Sequence, residues 1–341
     1  MEVHKGCLKN EKLRNNEKND ENESIYKEEE ELLERLFTKP KVYHATSDDL
    51  YREYNQWTPC EYDRGWFVRF LRHNFHDNKR RINFFGPVGN PLLVCNKFDG
   101  PKIFYTPEDV EHKFTKLWLY YRDYRIDYVD LAMGFGVLEN SKYIRFPYWI
   151  LTTFEPEFTD DDIIKRVKDI NSNKPQKSSD CVLVCGHDPK KTREMILTKV
   201  EKILKVSSAG RWRNNTRDLW DNYNNDKIAY MSNFRFNICA ENDNTENYVT
   251  EKIFDAFLAG CVPIYYGSNN NPEPGMINKD TVIFWNKDGD NKDALALIKE
   301  LNSNPKAYDE FVSQTRLYDT TAEYVIERFR LLREKLRDII E

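Results

Sequence analysis

The sequence predicts an α/β protein of two doubly wound halves facing a cleft, followed by a C-terminal helix. Three observations predict it. Short buried strands alternate with helical segments long enough to cross over a parallel sheet. The alternation lapses in the polar, Pro-containing stretch "FTDDDIIKRVKDINSNKPQKSSD" and restarts at Cys181. At 341 residues the chain also has length for two ordinary cores. Open α/β sheets bind ligands outside the carboxyl ends of their strands, so two such halves imply a cleft.

Taken in order, residues 1 to about 24 are too polar to pack, and "YKEEEELLERLF" reads as a short helix. "KVYHAT" is a first strand. "RGWFVRFLRHNF" has helical periodicity, with Trp66, Phe67, Phe70 and Leu71 on one side. "RINFFG" and "PKIFYT" are further buried strands on either side of the Gly/Pro loop "GPVGNP", and "VDLAMGF" and "KYIRFPYWIL" complete the half. In the second half "CVLVCG" is a strand, and "DPKKTREMILTKVEKIL" a helix capped by Asp188 with Pro189 at its first position. "FRFNICAEN", a helix from Thr250, "CVPIYYG" and "TVIFW" follow. The terminal helix carries an apolar stripe at Val325, Phe329, Leu332, Leu336 and Ile339. The expected organisation is a lead-in over 1–40, a first domain over 41–155, a linker over 156–180, a second domain over 181–304 and a helical segment over 305–341.

Composition narrows the function. Net charge is only -5 and basic residues are interspersed with acidic ones, which gives no electrostatic footprint for nucleic acid. No run approaches the roughly 18 apolar residues of a membrane span, and the N-terminus lacks the apolar core of a secretory signal. The seven cysteines make no metal knuckle; reduced, structural thiols and a cytoplasmic location are the expectation. The acids of "TDDDI" complement a helix dipole rather than form a metal site.

The stretch "ENDNTENYVTEKIFDAFLAGCVPIYYG", Glu241–Gly267, holds the densest chemistry. Ile253, Phe254, Phe257 and Leu258 form one apolar helix face, and Gly260 ends the helix. The opposite side of the first turn is left for a ligand. Free N–H groups at a helix start favour a phosphate. There Lys252 adds a full charge, Tyr248 a hydroxyl donor, and Glu251 an acceptor suited to sugar hydroxyls. Asn242 and Asn244 lie at the strand end leading in. Singly, each residue reads as ordinary capping; the ordered combination suits a nucleotide bearing a sugar.

The span "FNICAENDNTENYVTEKIFDAFLAGCVPIYYGS" resembles the signature of the alpha-1,3-fucosyltransferase family, glycosyltransferase family 10. "HDPKKTREMILTKVEKI" and "SSAGRWRNN" are similar to the family's upstream strand-loop-helix and Gly/Arg/Asn loop, and the first half is similar at "FFGPVGNP", "KIFYTPED", "VDLAMGF" and "YIRFPYW". The likeness covers about residues 45 to 300. It implies two Rossmann-like domains in the glycosyltransferase B architecture, the donor GDP-fucose and inversion at the anomeric carbon. It implies that Arg193 and Lys252 contact the diphosphate and that Tyr248 donates to a phosphate oxygen. Glu251 would bind donor hydroxyls or support an oxocarbenium charge, with Asn242 on the same rim. Read alone, Arg193 is an ordinary helix residue. The family's general base is a Glu after a first-domain strand of the "FYT" type: Glu108 here, with Glu111 second. The family's Glu-Ser-Pro is absent from this chain. No essential protein-bound metal is implied, a divalent ion being at most stimulatory.

The resulting expectation is an inverting transferase moving fucose from GDP-fucose to a GlcNAc- or glucose-type glycan hydroxyl, forming an alpha-1,3 linkage. The two glutamates eight positions apart that mark retaining enzymes of this architecture are missing: from Glu241, Glu246 and Glu251 that step lands on Val249, Phe254 and Ala259. Use of another GDP-sugar, or an inactive glycan- or nucleotide-binding module, are the alternatives.

Overall fold

The computed structural model describes residues 42–45, 50–55, 65–110 and 121–341. The expected lead-in, the helix at "YKEEEELLERLF" and the candidate base Glu111 lie outside the described residues. The chain divides into two units. One comprises the chain up to Pro147 with Glu155–Glu157 and Arg328–Glu341; the other comprises Tyr148–Phe154 and Phe158–Glu327.

Among its described residues the first unit holds six strands, β1 Val42–Ala45, β2 Tyr51–Tyr54, β3 Ile82–Phe85, β4 Lys102–Tyr105, β5 Leu131–Gly134 and β6 Tyr143–Arg145. They lie in sequence order, with β1 antiparallel to β2 and every other pairing parallel. Buried on both faces, β5 reads as an unbroken apolar run, and β3 is interrupted only by the buried Asn83. Helix α1, Trp66–Asn74, forms where the predicted periodicity lies, and Trp66, Phe67, Phe70 and Leu71 are all buried. Trp66 stacks on Phe70 at 5.2 Å and meets Phe329 edge-on at 5.4 Å. The aromatic segment after residue 120 also packs inward: Tyr121, Tyr124 and Arg125 are buried, with the Arg125 guanidinium 4.5 Å over the Tyr128 ring.

In the second unit the strands are β7 Ser179–Leu183, β8 Val206–Ser208, β9 Phe234–Ala240, β10 Val262–Tyr266 and β11 Ile283–Phe284. They form one parallel sheet in the order β11-β10-β9-β7-β8. Its helices are α2 Tyr148–Thr153, α3 Asp160–Ser172, α4 Thr192–Val200, α5 Asp218–Asp221, α6 Lys227–Met231, α7 Glu251–Leu258, α8 Lys292–Ser303 and α9 Pro305–Ser313. Helix α10, Thr320–Ile340, ends the chain. The fold class expected from the sequence, parallel α/β sheets with a C-terminal helix, is the one found.

Four local expectations need correction. The polar stretch read as a linker is largely α3, closed by a capping box in which Thr159 and Asp162 bond reciprocally. Its buried Ile163, Val167 and Ile170 are outnumbered by charged residues on the solvent face, which masks the periodicity. Helix α4 begins at Thr192, not after Asp188, yet Asp188 still caps it: Glu194 N donates to Asp188 Oδ2 at 2.7 Å. Among the cysteines, Cys181, Cys185, Cys239 and Cys261 are free and buried, but Cys95 is disulfide-bonded, its partner lying outside the described residues. The thiol argument for a cytoplasmic compartment lapses with it. On α10 the stripe is buried at Val325, Phe329, Leu332 and Leu336, with Ile340 taking the last place in preference to Ile339.

Candidate functional site

The second sheet reverses direction at β7, because β8 lies on one side of it and β9 on the other. That reversal opens a crevice at the carboxyl ends of β7 and β9, where chain departures diverge to opposite faces. Two loops emerge there, one from β7 through Cys185–Asp188 to α4, the other from β9 through Glu241–Thr250 to α7.

Arg193, in the first turn of α4, ties the two loops together. Its Nη2 donates to Ala240 O at 2.8 Å and to Asn242 Oδ1 at 2.9 Å, and its Nη1 donates to His187 O at 3.2 Å. The Asp188 carboxylate lies 3.8 Å from Nη1. Arg193 is buried, so it is part of the crevice wall and not the solvent-facing helix residue that periodicity alone suggests. Asn242, predicted to share this rim, is joined to it directly.

Helix α7 starts where predicted, with Thr250 as its N-cap, and ends at Gly260 with φ 67, a left-handed residue that only glycine adopts without strain. Its apolar face is backed by α2: Trp149 stacks on Phe254 at 4.3 Å, and Trp149 Nε1 donates to Glu273 Oε1 at 2.8 Å. At the mouth, Lys252 Nζ donates to Thr250 Oγ1 at 2.7 Å and pairs with Glu241 Oε2 at 3.0 Å and Glu251 Oε1 at 3.4 Å. Burial works against the Lys252 charge, but the Glu241 and then the Glu251 carboxylate hold its pKa above the usual lysine range. Burial likewise opposes ionisation of Glu251; Lys252 and then Lys227 outweigh it and hold the carboxyl at about 2. One α-helical turn on, Asp255 Oδ2 accepts from Lys227 Nζ at 2.6 Å.

Tyr248 is fully buried, while Asn244 Oδ1 accepts from Asn269 N at 2.8 Å and steadies the outer loop. The structure thus brings Arg193, Asn242, Tyr248, Glu251 and Lys252 to one strand edge. Glu108 belongs to the first unit, three residues beyond β4, where its N–H donates to Thr106 Oγ1 at 3.1 Å. The segment "TPEDVE" is a bend over its described residues, with Asp109 and Val110 buried and Glu108 half-buried. Among the described residues no group of three His, Cys, Asp or Glu could hold a metal ion. None of their helices is long and apolar enough to cross a membrane.

Sequence reasoning missed Glu241, weighing it only for the retaining-enzyme spacing. An acid on a strand end, ten residues before a helix start, does not by itself show that it reaches that helix.

Residues 173–333 match the family described as glycosyltransferase family 10 (fucosyltransferase), C-terminal part. That match covers just under half of the chain. Every crevice residue named above lies inside it, and Glu108 lies outside. The chain is 26% identical over 289 residues to the alpha-(1,3)-fucosyltransferase FucT of Helicobacter pylori, covering 74% of this chain and 56% of that protein. It is 30% identical over 141 residues to GDP-fucose protein O-fucosyltransferase 3 of Xenopus laevis, covering 39% of this chain and 28% of that protein. The chain therefore spans about half the length, or less, of these relatives. A crystal structure of an alpha1,3-fucosyltransferase superposes with a TM-score of 0.51 at 22% identity, over 74% of this chain and 78% of that one, which bears on the fold alone.

Proposed function

We propose that this chain is an inverting fucosyltransferase, moving fucose from GDP-fucose to a hydroxyl of a GlcNAc- or glucose-type glycan in an alpha-1,3 linkage. The observation that carries the reading is the convergence, at the reversal point of the second sheet and inside the family 10 match, of Arg193, Asn242 and the α7 mouth with Lys252. The leaving group is GDP, whose growing negative charge is met by fixed cations and N–H dipoles. Arg193 and Lys252 supply those charges and Asn242 closes the rim, while Tyr248, 1% exposed, lies inside the protein and not on the phosphate. Glu251, ionised at every physiological pH, accepts from donor hydroxyls and steadies an oxocarbenium-like sugar. An inverting displacement needs a base on the acceptor hydroxyl, opposite the leaving group. Glu108 takes that role: its backbone is fixed by Thr106, and its side chain is not sealed in the core. With protein cations on the diphosphate, a divalent metal is at most stimulatory, and the acceptor is an oligosaccharide or glycoconjugate.

Calorimetry with GDP, GDP-fucose and GDP-mannose, followed by linkage analysis of products from GlcNAc-containing acceptors, tests this. GDP-fucose binding and an alpha-1,3 product are expected. Equal response to both sugar nucleotides would overturn the donor assignment, and binding without transfer would make the chain a nucleotide-binding module.

A further inference from the structure

The geometry points to Glu241 as the positioning residue of the α7 mouth: the buried counter-ion that holds Lys252 and the helix cap in place for a diphosphate. This rests on the donor-site reading above. Glu241 is wholly inaccessible, immediately beyond β9, and its backbone N–H donates to Tyr266 O at 2.8 Å on the neighbouring strand. Both carboxylate oxygens face α7. Oε1 accepts from Thr250 N at 2.8 Å, and Oε2 accepts from Thr250 Oγ1 at 2.6 Å. The Lys252 ammonium lies 3.0 Å from the same Oε2. A carboxylate at a helix N-terminus is stabilised by the helix dipole, and here it also meets a full cation.

The surroundings are shaped for this carboxylate. Gly267 follows β10 with φ 149, and a Cβ there would come within 2.6 Å of Glu241 Cγ and 2.8 Å of the Tyr265 hydroxyl. Space that a side chain at 267 would fill is left to the Glu241 stem. The strand edge, the cap and the ammonium are therefore one linked unit. Lys252 alone is a flexible four-carbon stem with a point charge. Anchored to Glu241 and Thr250, its ammonium has a fixed place, 18% of the side chain remaining open to solvent. Glu251, the other carboxylate on Lys252, is assigned to the sugar and is itself a quarter exposed. The permanent partner is Glu241.

A double-mutant cycle on the full chain tests this with Glu241→Gln, Lys252→Met and the pair, reading GDP affinity by calorimetry and Tm without nucleotide. Glutamine keeps an acceptor for Thr250 N, so a role confined to capping would leave Glu241→Gln like wild type. The expected result is about a tenfold loss of GDP affinity for Glu241→Gln and about a hundredfold loss for Lys252→Met, which strands a buried carboxylate beside the phosphates. The double variant should bind GDP no more weakly than Lys252→Met and melt at or above its Tm, because the stranded charge is gone. A Lys252→Met chain that fails to fold while the double variant folds supports the same coupling. Losses that multiply in affinity and add in Tm, a wild-type-like Glu241→Gln, or a double variant that fails to fold would each overturn it. If wild type binds no GDP, the donor-site reading fails, and the Tm cycle alone decides whether Glu241 and Lys252 act as one unit.

Discussion

Two strand exits carry the proposed chemistry, and they are built differently. Beyond β9, Glu241, Thr250, Lys252 and Glu251 lock one another through contacts of 2.6 to 3.4 Å in a buried mouth. Beyond β4, the backbone of Glu108 exchanges bonds with the Thr106 hydroxyl, and its side chain is half-buried. The difference fits two tasks. Charge that must meet a developing diphosphate is most effective when preorganised, since nothing then reorients during reaction. A carboxylate that must take up a proton and release it again needs contact with acceptor and solvent.

If that division of labour holds, the largest effect belongs to Glu108→Gln. Turnover should fall by about 10²–10⁴-fold while GDP affinity stays at the wild-type value, the range expected for loss of a general base. Initial rates and calorimetry on the same preparation check both halves, and an unchanged turnover removes Glu108 from the mechanism. The converse pattern is expected at Lys252→Ala, where a buried pair is broken with Glu241 left behind. Such losses run to about 3–5 kcal/mol, so denaturant unfolding should reveal a large destabilisation along with weakened GDP binding. Wild-type stability in that variant would mean the mouth is not preorganised by charge.

Legibility in the sequence follows the same divide. "CVPIYYG", "FRFNICAEN" and the α7 face were readable because a buried parallel strand and an amphipathic helix leave unambiguous apolar patterns. β2 was not, since Arg52 and Glu53 interrupt it, although Glu53 is buried in the fold. α3 was hidden by the charges on its exposed side. At the site, residue types sufficient for a phosphate and a sugar were visible around Lys252. Glu241 was not, because its role depends on β9 and β10 ending side by side, a contact between segments 26 positions apart that no local pattern encodes. The disulfide at Cys95 is equally non-local.

The acid limb of stability gives a smaller, sharper probe of the mouth. Glu251 is held at about 2 against an ordinary value of 4.5, so the folded state favours its charged form. A depressed carboxyl contributes stability that is fully present above its unfolded pKa and is lost as pH falls through the folded one. Unfolding free energy should therefore decline between about pH 5 and 2, by up to about 3 kcal/mol from this group. Glu251→Gln should flatten that limb relative to wild type in urea titrations. A decline of equal depth in the variant would place the acid sensitivity elsewhere.

Arg193→Lys asks whether the crevice uses a cation or a guanidinium. Three of the five guanidinium N–H groups are committed to the protein, at Ala240 O, Asn242 Oδ1 and His187 O. One N–H on Nη1 and the Nε–H remain for a phosphate. Lysine has three donors at one point and cannot brace two loops while reaching a ligand on the far side. Charge is conserved, so long-range attraction for GDP survives; what goes is one charge-assisted bond and the link between the β7 and β9 exits. The expected loss is about tenfold in GDP affinity, in line with about 1.5 kcal/mol for such a bond. Arg193→Ala should lose more, because the charge goes as well. If lysine and arginine bind GDP alike at this position, Arg193 acts as a point charge and the brace to Asn242 plays no part in holding the donor.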